Sequence, residues 1–373
     1  MGMTPEMSGM SNSGSSDSRA ASNRLNDNQT SGLLYFYIHF VTEVVCFYTL
    51  ARYVGDNPTI WLVFLSYDML AFVPQSIIGY FSDKHPRVPL GAIGLVLLGI
   101  ALLIMENVKN PYASLFILCL GNCFVHVNGA ETTLRTAKGK VSGSAIFVSG
   151  GSFGVVTGKL MGGAGTSSWP LLILLASALP LAIFAQRYIS EAELPFKKQC
   201  LDFKYAKPGL SVGLVIAAAV TVVAVRGFMG YGIPTSWNKT AVQTVMLFSF
   251  MGVGKALGGI LADRFGFKRT ALVSAALAAP FLMFGDHLMV ISLFGVMMFS
   301  MTMAITLGIL VSVLPETPGL AFGWTTIGLF LGTAPVFFFK FTTITANCIM
   351  IAVLTILCLI LLWFIIREDG ADG

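Results

Sequence analysis

The sequence predicts an all-α polytopic membrane protein, with twelve transmembrane helices arranged as two pseudo-symmetric six-helix bundles. Three observations carry this expectation. The 373 residues are 55% hydrophobic and 11% charged, with a mean hydropathy of +0.79, which is more apolar surface than a water-soluble domain of this size hides. Charge and Gly/Pro clusters cut the chain into runs near the roughly 20 apolar residues that cross a bilayer. A charged loop also occurs twice: the segments from Gly79 to Arg87 and from Gly259 to Arg269 place glycine, acid and base at the same offsets, 180 residues apart, as a duplicated unit would.

Residues 1–31 are rich in Ser, Asn, Gly and Met, without periodicity, and read as a disordered N-terminus. They lack the basic start and apolar core of a signal peptide. Six spans are expected near 32–50, 59–81, 89–105, 112–134, 141–163 and 169–186, so that 32–186 forms the N-terminal bundle. A polar linker, 187–208, follows, with Arg187, Glu191, Glu193, Lys197, Lys198, Lys204 and Lys207. Six further spans near 210–233, 241–263, 270–284, 287–314, 319–339 and 342–366 make the C-terminal bundle, 209–366, and leave a tail, 367–373. Lys and Arg in alternate loops number 16 on the side of the charged loops, the linker and the termini, against 4 on the other. Both termini and both charged loops are therefore expected in the cytoplasm. The six cysteines have neither zinc-like nor disulfide-like spacing and read as small hydrophobes.

Twelve helices in two sixes, each with a G-x-x-x-D-R/K-x-G-R-type loop between its second and third helix, resemble the major facilitator superfamily. The first copy carries Pro86 where the family has glycine. The resemblance implies that each loop aspartate faces a helix start in the opposite half, where free N–H groups and the helix dipole favour negative charge. Asp83 would face the helix beginning near Pro318 and Gly319, and Asp263 the one beginning near Ser142 and Gly143. Arg87, Arg264 and Arg269 would complete this gating latch, with Lys255 on the helix leading into the second loop and placed to pair with Glu131. Gly150, Gly154, Gly158 and Gly162 form a ladder that predicts close helix packing. It stands where the family carries its antiporter motif, but lacks that motif's proline. A narrower likeness, carried by Phe124 to Glu131 and Arg226 to Gly232, is to the branch containing fosmidomycin-resistance transporters. That branch carries His-Pro-Glu where this chain has His126, Val127 and Asn128.

Ionisable groups inside spans cost a few kcal/mol each and mark functional candidates. His39 and Glu43, four residues apart, share a helix face and are candidates for proton coupling, with Asp68 and Glu131. His126, Asn128, Lys159, Arg226 and Trp324 are candidates for substrate binding, and Arg226 suits carboxylate or phosphate. Asp68 could equally neutralise Arg226 or Lys159. The methionines Met297, Met298, Met301 and Met303 read as adaptable packing. Two histidines on separate helices, without a carboxylate at ligand spacing, predict no metal site. No nucleotide-binding loop or hydrolytic triad is present, so neither a cofactor nor an enzyme activity is expected. The resemblance implies a secondary transporter of a small organic solute in a bacterial-type inner membrane, expected as a monomer, and the deep cations would select an anionic solute if one or more of them is unpaired. The transporter's partners would be protons, the solute and the lipid bilayer, not nucleic acid, and export by antiport is favoured. The alternatives are a uniporter or anion exchanger whose charges are structural pairs, and a non-transporting receptor or scaffold.

Overall fold

The computed structural model describes residues 13–53, 59–108, 110–192, 201–233, 235–339 and 343–369. Features expected at 1–12, Lys109, Glu193, Lys197, Lys198, Cys200, Pro234, Lys340 and 370–373 lie outside them. Among the described residues, twelve helices are long and apolar enough to cross a membrane. The first six are α1 (Ser13–Tyr53), α2 (Ile60–Lys84), α3 (Leu90–Val108), α4 (Pro111–Arg135), α5 (Ser142–Gly163) and α6 (Trp169–Ala192). The second six are α7 (Val212–Gly232), α8 (Ala241–Phe265), α9 (Phe267–Phe284), α10 (Met289–Val313), α11 (Pro318–Phe337) and α12 (Ile344–Ile365).

Local chemistry sets the helix ends. Asn110 accepts a hydrogen bond from the Ala113 N–H, and Pro111 occupies the first turn of α4, where its missing N–H costs nothing. Thr240 and Gln243 form a reciprocal capping box at the start of α8. Gly266, at φ 102°, lets the chain turn from α8 directly into α9. Pro74 interrupts α2 because it has no N–H and crowds the preceding turn. The carbonyls around that break find other donors, as they must in a membrane interior. The Cys123 thiol donates to Leu70 O and Ala71 O at 3.4 and 3.1 Å, and Thr326 Oγ1 of α11 donates to Phe72 O at 3.0 Å. The tenth run, expected as one helix, is two helices end to end, Met289–Ser300 and Thr302–Val313.

Glycine governs the packing. Gly150, Gly154, Gly158 and Gly162 of α5 lie on the carbonyls of Phe36, Phe40, Val44 and Tyr48 of α1. Each rung is four residues from the next on both helices, so a side chain at any rung would meet backbone. Gly254 and Gly258 of α8 meet the carbonyls of Met297 and Met301 in the same manner. This gives those two methionines a packing role. Contacts between the halves run along α5 with α8 and α2 with α11. On α12, Ile349, Val353, Ile356 and Ile360 are all exposed along one face, the surface a bilayer would cover.

The N-terminal stretch departs from expectation. Disorder was expected over 1–31, yet the first helix begins at Ser13, and Asn28 and Ser31 are buried. Both side chains bond where α4 turns into α5: Ser31 Oγ lies 2.7 Å from Thr136 Oγ1, and Asn28 Nδ2 donates to Ser142 Oγ at 3.4 Å. The linker's final residues pack against the helices. Leu201 and Phe203 are buried, and the Tyr205 ring stacks on Phe267 at 3.7 Å. The Tyr205 hydroxyl donates to the Gly139 carbonyl. Burial, with Asp263 and Asp202 nearby, raises that phenol well above its ordinary pKa, so it remains a neutral donor.

Candidate functional site

Two constellations hold the polar groups of the interior. The first lies between α1, α4 and α5. His39, Glu43 and Cys46 follow one face of α1; Cys119, Asn122 and His126 follow one face of α4. The spacings are mirror images, H-x-x-x-E-x-x-C against C-x-x-N-x-x-x-H, so antiparallel packing sets like against like. The two imidazoles meet with ring centroids 4.4 Å apart. Asn122 Nδ2 donates to Glu43 Oε1 at 3.0 Å and lies 3.5 Å from Cys46 Sγ. Glu43 Oε1 is 3.4 Å from His126 Nε2 and 3.7 Å from His39 Nε2. All three side chains are buried but for a margin of 7–10%.

The other ring nitrogens identify the tautomers. His39 Nδ1 lies 2.9 Å from the Phe147 carbonyl, and His126 Nδ1 lies 2.9 Å from the Asn122 carbonyl. A carbonyl only accepts, so both Nδ1 atoms carry hydrogen and both neutral rings present an Nε2 lone pair to Glu43. Three acceptors at this range repel one another unless a positive charge joins them. A proton or cation between them would relieve that repulsion. Gly151 of α5 completes the site, since a Cβ there would collide with His39 Nε2. From the other half, Lys255 of α8 is close enough to interact electrostatically with His126 and Glu43.

The second constellation is the pair of charged loops. Asp83 accepts from the Gly319 and Leu320 N–H groups at 2.9 Å each. Asp263 accepts from the Val141 and Ser142 N–H groups at 3.0 and 2.9 Å. Each carboxylate thus caps the helix start in the opposite half that the motif resemblance designates. Close approach is possible because Gly79 faces Gly319, and Gly259 faces Val141 and Ala145.

The basic partners differ from expectation. Arg87, Arg264 and Arg269 are exposed and form no ion pair among the described residues. The buried base is Arg135, with Nη2 2.8 Å from Glu131 Oε1 and 3.8 Å from Asp83 Oδ1. Glu131, expected to couple protons, accepts from Ser82 and Arg135 and belongs to the latch. The expected pairing of Lys255 with Glu131 is accordingly not formed. Behind the second loop, buried Lys268 pairs with Glu368, and Asp369 accepts from the Lys268 and Arg269 N–H groups at 3.0 and 2.9 Å. Neither tail acid stood out in the sequence; the Glu131–Arg135 pair was visible as an i,i+4 spacing.

The remaining candidates scatter. Asn128 turns into the N-terminal bundle and accepts from Tyr35, away from His126, so its expected role in a cavity is not supported by its orientation. Asp68 sits beside Thr333 of α11 with Lys159 in electrostatic range, and does not pair with Arg226. Lys159 Nζ stands over the rings of Phe47 and Phe248, 5.4 and 5.3 Å from their centroids. Arg226 lines a small cavity within the C-terminal bundle, with Met229, Phe299, Thr302, Thr355 and Cys358. Its Nη1 is buried without a hydrogen-bond partner. Trp324 packs half-buried against the apolar core.

Two six-helix sets, crossing at α2 with α11 and α5 with α8 and tied by reciprocal aspartate caps, define a multi-pass membrane protein with the major facilitator superfamily fold. A variant of the Escherichia coli fucose:proton symporter FucP has the same architecture, with a TM-score of 0.62, 14% identity, and 91% of this chain and 99% of that one covered. In sequence, the chain is 23% identical over 245 residues to the uncharacterized MFS-type transporter YfnC of Bacillus subtilis. It is 24% identical over 250 residues to the fosmidomycin resistance protein of E. coli. The chain spans about 60% of the length of these curated relatives and matches them over 59% and 60% of its own. No family model matches it.

Proposed function

We propose that the protein is a proton-coupled secondary transporter that moves a small organic, anionic solute across a bacterial-type inner membrane by alternating access. The observation that carries the coupling is the convergence of His39, Glu43 and His126, whose lone pairs call for one positive charge. A proton supplies it, and the two imidazoles give that proton a route across the cluster. Lys159, Arg226 and Lys255 form no salt bridge among the described residues, although Asp68 and Glu43 lie in electrostatic range of Lys159 and Lys255, and these direct contacts left unmade support an anionic solute. The name of the E. coli relative, a resistance protein, supports export by antiport. The excess of Lys and Arg beside the charged loops supports their placement in the cytoplasm. In this arrangement the aspartate caps close the cytoplasmic face, and opening it requires both to release.

The test is flux in proteoliposomes. Thermal-shift screening of small organic acids at two pH values first supplies a solute that stabilises the fold. Wild-type protein then drives that solute against a pH gradient, whereas Glu43→Gln retains gradient-independent counterflow and loses the gradient-driven component. Gradient-driven transport by Glu43→Gln at the wild-type rate overturns the proposal.

A further inference from the structure

The same three donors meet a second chemistry. We propose that His39 Nε2, His126 Nε2 and Glu43 Oε1 form a binding site for a divalent d-block cation of the zinc class, which competes there with protons. This rests on ligand geometry and does not require that the protein transport anything. The sequence argued against a metal because it showed no carboxylate at ligand spacing to both histidines. Helix packing provides one.

The distances fit. A tetrahedral ion with bonds of about 2.0–2.1 Å holds its ligand atoms about 3.3–3.4 Å apart. Here the carboxylate oxygen is 3.4 Å from one Nε2 and 3.7 Å from the other, and all three donor atoms lie within 4.8 Å of one another. Contraction of the longer oxygen–nitrogen distance by a few tenths of an ångström would bring the carboxylate oxygen to ligand spacing from both nitrogens.

The supporting contacts also fit. A metal-bound histidine usually donates its second ring nitrogen to a carbonyl or carboxylate, which fixes the tautomer and aims the lone pair. Both histidines do this, to Phe147 O and Asn122 O. Asn122 Nδ2 orients Glu43 by donating to the same oxygen that faces the imidazoles, and Gly151 leaves room for the His39 ring. Two imidazoles and one carboxylate suit zinc, cobalt or nickel, whereas calcium and magnesium call for oxygen cages. Three protein ligands leave a fourth position for water or an exchanging ligand. The 7–10% exposure of the three side chains provides the opening through which an ion arrives. Since coordination uses the lone pairs a proton would occupy, binding releases protons and weakens as pH falls.

Cobalt titration of the purified, detergent-solubilised protein tests this directly. Co²⁺ is expected to bind one to one, with the intense visible absorption of a low-coordinate site, and to be displaced by Zn²⁺ but not by Mg²⁺. Glu43→Gln and His126→Gln, each checked for a monodisperse elution profile, should lower affinity by about 100-fold or more, while Asp202→Asn, at an exposed linker position, leaves it unchanged. Affinity should also fall on moving from about pH 7.5 to about pH 5.5. Absence of the absorption bands in wild-type protein overturns the inference whatever the variants do, as does equal binding by wild type and Glu43→Gln. Such a result leaves proton coupling standing, because that is read from flux across a pH gradient.

Discussion

The two charged loops do the same work with different support. Each presents one aspartate to two N–H groups at a helix start in the opposite half, at 2.9–3.0 Å. Behind Asp83 stands a buried network drawn from its own bundle, Arg135 with Glu131 and Ser82. Behind Asp263 the chain brings in distant segments, namely Tyr205 at the end of the linker and Glu368 and Asp369 of the tail. Duplication preserved the cap, where geometry leaves little choice. The charge balance around it was rebuilt separately in each half, because any nearby group of the right sign serves.

Breaking the first network should have the largest effect. Arg135→Met leaves Glu131 fully buried without its cation, and loss of one partner of a buried pair typically costs about 3–5 kcal/mol. Thermal unfolding in detergent should show a large drop for Arg135→Met and a much smaller one for Arg135→Lys. If both variants unfold like the wild type, the network carries no stability.

Asp83→Asn and Asp263→Asn test the feature the loops share. Each keeps one neutral acceptor oxygen and replaces the other by an NH2 donor, so that one charge-assisted bond worth about 1.5–3 kcal/mol is lost and the second weakened, and each should raise the population open at the charged-loop face by about tenfold or more. Spin-label distances between the first loop and the start of α11, and between the second loop and the start of α5, would report it. Unequal shifts would show that the surrounding networks, and not the caps, set the latch strength.

The smallest effects separate the tail from the exposed arginines. Asp369→Ala removes the acceptor at the start of α9 and should cost about 0.5–2 kcal/mol, with faster amide exchange confined to the first turn of α9. Arg87→Ala and Arg264→Ala alter exposed side chains without ion pairs and should stay within about 0.5 kcal/mol of wild type. A large loss from either would restore the latch role that their motif positions suggested.

What the sequence made legible follows from what hydropathy and local spacing encode. The helix starts opposite Asp83 and Asp263 followed from the family resemblance; span positions and the repeat are one-dimensional features. Rotation of each helix about its axis is not, because helices that are apolar on every side carry little record of which face meets a neighbour. Asn128 was therefore read with His126 as a substrate-binding candidate and Glu131 as a proton-coupling one, although they turn to Tyr35 and to Arg135. Arg226 likewise faces its own bundle. The mirror-image spacing on α1 and α4 was readable in principle, but its meaning depends on the two helices meeting in antiparallel register.

The cluster's location has one more consequence. His39, Glu43, His126 and the Phe147 carbonyl all belong to the N-terminal half, and the glycine ladder binds α1 to α5 as a single body. A charge held there would stay in one moving part and keep its ligands when the halves separate. What separation changes is the distance to Lys255, the neighbouring cation on α8. Lys255 would then favour the carboxylate without its cation and act on the first half at a distance, like a magnet passed behind a compass, without sharing a ligand.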